Sequence, residues 1–231
     1  DFLQRLLNTQ IETTYWFFPA LFMVYLSMPV LSRLSEEKKT LWYIVIACAA
    51  TYSLLPFLCG CLGIAWNTSL QFPMGAGYIL YVALGYLLHT MEIPRKYRMG
   101  IYLLGIFGAA VRYGHTVTAS FAEGALNRLT WGYMNWPEVL LSAAVFVLIK
   151  YLFRNPRFRP ERWQKAIRWL ASASFGIYLI HVLIMDTMVE TFGIHPGDLW
   201  WRLLGPILLY VIALLLVKGI QKIPGARGVM P

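Results

Sequence analysis

Apolar positions run in seven long blocks, at about 14–32, 41–61, 73–90, 100–121, 136–153, 170–190 and 201–219. Short polar or Pro/Gly-rich connections such as RLSEEKK, EIPRKYR and RNPRFRPERWQK part them. An α-helix rises about 1.5 Å per residue and crosses the hydrocarbon core of a bilayer in roughly 20 residues, so each block predicts a transmembrane helix. The fold class expected is all-α: a polytopic membrane helical bundle of about seven transmembrane helices. No linker is long enough for a second domain and no internal repeat is visible, so residues 1–231 are read as one membrane domain.

Composition agrees. Of 231 residues, 58% are hydrophobic and 16% aromatic, more than a soluble domain of this size carries. The net charge of +9 does not point to nucleic acid, because that needs Lys and Arg gathered on one folded polar surface. Here they sit between the blocks, with a lopsided distribution. Alternate connections hold Arg33, Lys38, Lys39, then Arg95, Lys96, Arg98, then Lys150, Arg154, Arg157, Arg159, Arg162, Lys165, Arg168, and finally Lys218, Lys222, Arg227. The other set holds Arg5, Arg128 and Arg202. Lys and Arg are retained on the cytoplasmic side, which predicts an outer N-terminus and a cytoplasmic C-terminus.

The stretch DFLQRLLNTQ lacks the pattern of a secretory signal. A chain starting in the cytoplasm would need an odd number of helices before the first block, so the sequence is expected to continue a longer, N-terminally truncated domain. Cys48, Cys59 and Cys61 lack the spacing of a zinc site or a paired disulfide framework and read as small hydrophobes.

Ionisable groups at membrane depth need a partner or a function. Arg112 lies near the middle of the fourth block, roughly 16 Å from its start by helical rise. On a helical wheel it shares a face with His115, Thr116, Ala119 and Glu123, together with Gly105 and Gly108, and this stripe is expected to line an interior cavity. Arg112 is then either one half of an ion pair with an acidic residue of another helix or an anchor for negative charge on a substrate or transition state. His115 is either an interhelical hydrogen-bonder or a substrate contact. In the sixth block Ser174, Tyr178 and His181 share a face, whereas Asp186 and Glu190 point away, so a His–carboxylate dyad would need another helix. A buried neutral imidazole suits general-base work on a hydroxyl; the alternative is a packing histidine that orients its neighbours. Trp16 fits an aromatic belt or the lining of an acceptor site at the outer mouth. The segment around Arg157, Arg159 and Arg162 reads as an interfacial amphipathic lead-in, contacting either anionic lipid or a phosphate-rich cofactor such as an acyl-CoA.

Three stretches carry a resemblance. SFGIYLIH, residues 174–181, resembles the signature helix of the acyltransferase-3 family of bacterial integral-membrane O-acyltransferases. YWFFPALFMVYLSMPVLSRL, residues 15–34, and YILYVALGYLLH, residues 78–89, are similar to two earlier helices of that family, in family order. The resemblance implies about ten helices with both ends in the cytoplasm, hence three upstream, and these would hold the Arg and His usually assigned catalysis. It also implies transfer of an acyl group, most often acetyl, from acyl-CoA as co-substrate to a hydroxyl of a carbohydrate or lipid-linked acceptor, in the bacterial cytoplasmic membrane. His181 matches the family's motif histidine; Arg112 and His115 match no motif. The competing reading is a transporter or flippase of a glycolipid or polysaccharide, which would be expected to show inverted repeats that this sequence lacks. A membrane sensor fused to another domain is a third.

Overall fold

The computed structural model describes residues 17–71, 77–154, 160–195 and 197–223, and every regular element among them is helical. The helices are α1 (Phe17–Leu34), α2 (Lys38–Cys61), α3 (Ile79–Thr90), α4 (Arg95–Glu123), α5 (Trp136–Leu152), α6 (Glu161–Ala171), α7 (Ser174–Phe192) and α8 (Leu199–Ile220). Each predicted span has its helix, and the basic lead-in forms α6. Among the described residues four helices, α1, α2, α7 and α8, are long and apolar enough to cross a membrane. α3 is short at 12 residues. α4, at 29 residues, exceeds its apolar block because the basic start and the polar end also wind into helix.

The chain forms two compact units, Asp1–Arg154 and Asn155–Pro231. In the first, Leu41, Ile44, Val45 and Cys48 of α2 meet Ile79, Leu80, Ala83 and Leu87 of α3, each set at helical spacing and each residue buried. Residues Ala49–Leu54 of α2 form a π-helical turn, with the Leu55 N–H donating to the Ala50 carbonyl. Pro56 follows immediately and offers no N–H to the ordinary ladder, which accounts for the widened register at this place.

α4 and α5 pack through glycine. A β-carbon at Gly108 would stand 2.7 Å from the Pro137 carbonyl oxygen, and one at Gly105 would overlap the Ala144 methyl group. The close approach foreseen from the small residues on α4 is therefore real. Gly108→Leu is expected to push the two helices apart and destabilise the first unit by about 1–3 kcal/mol, seen as a lower unfolding temperature in detergent.

The basic end of this unit is tied by Lys150. Its ammonium donates to the carbonyls of Leu88, His89 and Met91, at 2.9, 2.8 and 2.7 Å, and so caps the C-terminus of α3 with a positive charge. Next to it the Ile93 N–H donates to the Tyr151 hydroxyl at 2.6 Å, and the Arg98 guanidinium covers the Tyr151 ring at 4.0 Å. Lys150→Met keeps the aliphatic stem but removes three charge-assisted bonds, and should lower stability by roughly 2 kcal/mol in the same thermal assay. Arg154 bonds Glu92 at 2.5 Å and holds its carboxyl below the ordinary carboxylate range. A depressed folded-state pKa means that this contact helps above the ordinary value and is lost as pH falls through the depressed one; both groups are fully exposed and the effect is small.

In the second unit, buried Ala173, Leu214 and Val217 pack with Leu170, Ile177 and Ile180. The elbow between α6 and α7 is fastened to α8. Lys218 donates to the Ser172 hydroxyl at 2.6 Å, Gln221 donates to the Ser172 carbonyl at 2.9 Å, and the Lys218 ammonium lies 5.0 Å from the centre of the Trp169 ring.

Candidate functional site

The polar stripe of α4 turns into the first unit except at its end, where Glu123 is exposed. Gly105 and Gly108 are buried, and Arg112, His115, Thr116 and Ala119 are partly covered. Arg112 forms an ion pair with Glu138, in the first turn of α5. With side chains 35% and 21% exposed, the pair is only partly open. The structure thus supplies the carboxylate that the ion-pair reading of Arg112 requires. It also places Arg112 level with the beginning of α5, because the fully buried Thr130, in the connection before α5, reaches its carbonyl at 3.3 Å. Helical rise from the start of an apolar block measures distance along one helix only; α4 continues past this level by 11 residues, roughly 16 Å.

Around the pair the connection from α4 to α5 is organised by hydrogen bonds. The hydroxyls of Thr116 and Thr130 meet at 2.9 Å. The Asn127 N–H donates to Ser120 at 2.9 Å, its side-chain amide donates to Glu123 at 2.7 Å, and Asn135 donates to the Leu129 carbonyl at 2.8 Å. Tyr81, from α3, donates to the Tyr133 carbonyl. Alongside Thr116 and Ser120 opens a groove of about 510 Å³, whose other walls include Val117, Phe121 and Leu126.

His115 sits deeper. Its ring meets Phe57 of α2 edge-on at 6.2 Å, and Phe57 meets Trp136 of α5 at 5.8 Å. Nδ1 of His115, Nε1 of Trp136 and the hydroxyl of Ser53 are buried without a hydrogen-bond partner among the described residues. Such groups normally find one.

In the second unit His181 lies on α7, partly covered, with the Tyr178 ring 5.7 Å away. Nδ1 of His181 stands 2.7 Å from the Tyr178 carbonyl oxygen, one turn back. A carbonyl can only accept, so Nδ1 is the donor, and in the neutral ring the lone pair then sits on Nε2. The partner of Nδ1 is therefore backbone. Asp186 and Glu190 are exposed, and so is Ser174 at the start of α7. Arg162 is exposed in the first turn of α6; Trp16, Arg157 and Arg159 lie outside the described residues. His181 is described within its own unit, as Arg112 and His115 are within theirs.

Sequence reasoning missed Glu138, Thr130, Tyr81 and Phe57. Glu138 follows Asn135, Trp136 and Pro137, a pattern that reads as a helix start with an acidic first turn, which hides its second use as the Arg112 partner. Thr130 had no signal at all, since nothing in a polar connection marks one hydroxyl for burial. Phe57 is one apolar residue among many.

Residues 6–218 match a family model described as an acyltransferase domain, the acyltransferase-3 model. Comparison with curated proteins and with solved structures gives no match.

Proposed function

Because the chain belongs to the acyltransferase-3 family, we propose that it moves an acyl group, acetyl above all, from acyl-CoA to a hydroxyl of a carbohydrate or lipid-linked acceptor. The family and the four long apolar helices make it an integral-membrane acyltransferase. Donor, acyl group and acceptor are the proposal.

The observation that carries it is the state of His181. With Nδ1 committed to the Tyr178 carbonyl, Nε2 is a fixed acceptor that can take a hydroxyl proton. In the proposed step the acceptor oxygen attacks the thioester carbonyl as its proton passes to Nε2. The new C–O bond forms, the C–S bond breaks, and the imidazolium returns the proton to the departing thiolate. Tyr178 and Ser174, on the same face of α7, are assigned to substrate contact. His115 is assigned to substrate contact within its own unit, where the groove beside Thr116 has walls mainly of apolar side chains, and Trp16 is assigned to substrate contact as well. Arg112 is assigned a positioning role: held by Glu138, it fixes the start of α5 and, through Thr130, the connection that lines this groove.

Orientation supports the assignment of the donor. With the Lys/Arg-rich connections in the cytoplasm of a bacterial cell, acyl-CoA meets the basic end of the helices, where Arg157, Arg159 and Arg162 are assigned to its phosphates. The test uses membranes that hold the full-length protein and acetyl-CoA labelled in the acetyl group. Label passing to carbohydrate or lipid is the expected result. Passage of the acceptor across the bilayer without modification would contradict the proposal and favour a carrier.

A further inference from the structure

The helix before the His181 helix has a shape that the reaction does not call for. At 11 residues α6 is too short to cross a bilayer, and none of its residues is buried. Its sequence, ERWQKAIRWLA, sets Trp163, Ala166, Ile167 and Leu170 on one side of the wheel. Lys165 and Arg168 take the opposite side and Arg162 a flank. Only Leu170 reaches the protein core, where it packs with Ala173, Leu214 and Val217. Trp163 and Ile167, along the same stripe, are 56% and 47% exposed.

We propose that α6 lies in the plane of the membrane on its anionic surface, with Trp163 and Ile167 sunk beneath the headgroups and Lys165 and Arg168 against lipid phosphates, Arg162 on the flank being left to the acyl donor. Three observations name the bilayer as what covers the apolar stripe. First, α6 cannot swing free. Lys218, in the last turn of α8, grips both Ser172 and the Trp169 ring, so the elbow stays level with the end of a membrane-crossing helix. Second, the stripe is continuous through Leu170 with the packing of that helix, and neighbouring side chains on α7 and α8, Phe175, Leu215 and Leu216, are exposed as lipid-facing residues are. Third, three cations against one carboxylate, Glu161, which pairs with Lys165 at 2.9 Å, leave the polar side net positive, as an anionic leaflet requires.

The test places a nitroxide at Ile167→Cys or, separately, at Lys165→Cys in the full-length protein, with Cys48→Ala, Cys59→Ser and Cys61→Ser in the background. Collisions with oxygen, which concentrates in lipid, are compared with collisions with a water-soluble nickel chelate, in nanodiscs of phosphatidylcholine with and without phosphatidylglycerol. The expected result is an oxygen preference at position 167, a nickel preference at 165, and a stronger contrast when phosphatidylglycerol is present. Lys165→Glu with Arg168→Glu should weaken the preference at 167, and a label at Trp163→Cys should repeat the behaviour of position 167. Equal nickel access at positions 165 and 167 would overturn the proposal. So would immersion indifferent to both lipid charge and charge reversal, or immersion lost on adding coenzyme A, which would give the basic side to the acyl donor instead.

Discussion

Arg112→Ala is expected to destabilise the first unit by about 1–2 kcal/mol, because it leaves the Glu138 carboxylate partly covered and unpaired, between what removing one partner does in an exposed and in a buried pair. Glu138→Ala should do the same from the other side. The informative variant is the exchange Arg112→Glu with Glu138→Arg. If the two residues serve to hold α4 against α5, the reversed pair recovers most of the stability lost in either single alanine variant. Thermal unfolding in detergent, with the singles and the exchange measured together as a cycle, reads this directly. An Arg112 that instead anchors negative charge on a substrate would give a folded exchange variant with no turnover. The contact itself argues for the first result: the guanidinium is paired with Glu138 in the first turn of α5, and the Arg112 carbonyl accepts from the fully buried Thr130.

His181→Gln should behave in the opposite way. Glutamine can still donate to the Tyr178 carbonyl, so the loss of stability should be under about 1 kcal/mol, the value of one ordinary hydrogen bond. It has no lone pair basic enough to take a hydroxyl proton. Transfer of labelled acetyl should therefore fall by roughly 10²–10⁴-fold, the usual contribution of a positioned general base. His181→Ala should lose the same activity with a slightly larger drop in stability. A folded glutamine variant with turnover close to the parent would leave His181 a packing residue that orients its neighbours, and would move the base elsewhere.

The helices were largely legible in the sequence and the partners were not, for one physical reason. A bilayer imposes a length and an apolarity on every crossing segment, so α1, α2, α7 and α8 are written into the chain as long greasy runs. The apolar pattern also marked α4 and α5 as helices, but it could not say where along them the two meet. That is fixed by Gly105 and Gly108 accepting Ala144 and Pro137 at a distance that no side chain allows. The wheel on α4 placed Arg112, His115 and Thr116 on one face and that face does turn inward, yet their partners, Glu138, Phe57 and Thr130, come from sequence 14 to 58 residues away. For His181 the reading was closer, because its orienting partner is one turn back on the same helix. Even so, a backbone carbonyl as the partner of Nδ1 leaves no trace in a sequence. α6 was visible as an amphipathic stretch; its fastening to Lys218 and Ser172 belongs to tertiary structure alone.

The central claim is a division of labour: α4 and α5 hold the frame through Arg112 and Glu138, while α7 presents a basic nitrogen for the reaction. It is tested most directly by the rate of acetyl transfer per folded molecule, measured side by side for the Arg112→Glu, Glu138→Arg exchange and for His181→Gln. The account predicts a transferring exchange variant and a glutamine variant slower by at least about 100-fold. A silent exchange variant beside an active glutamine variant would contradict it.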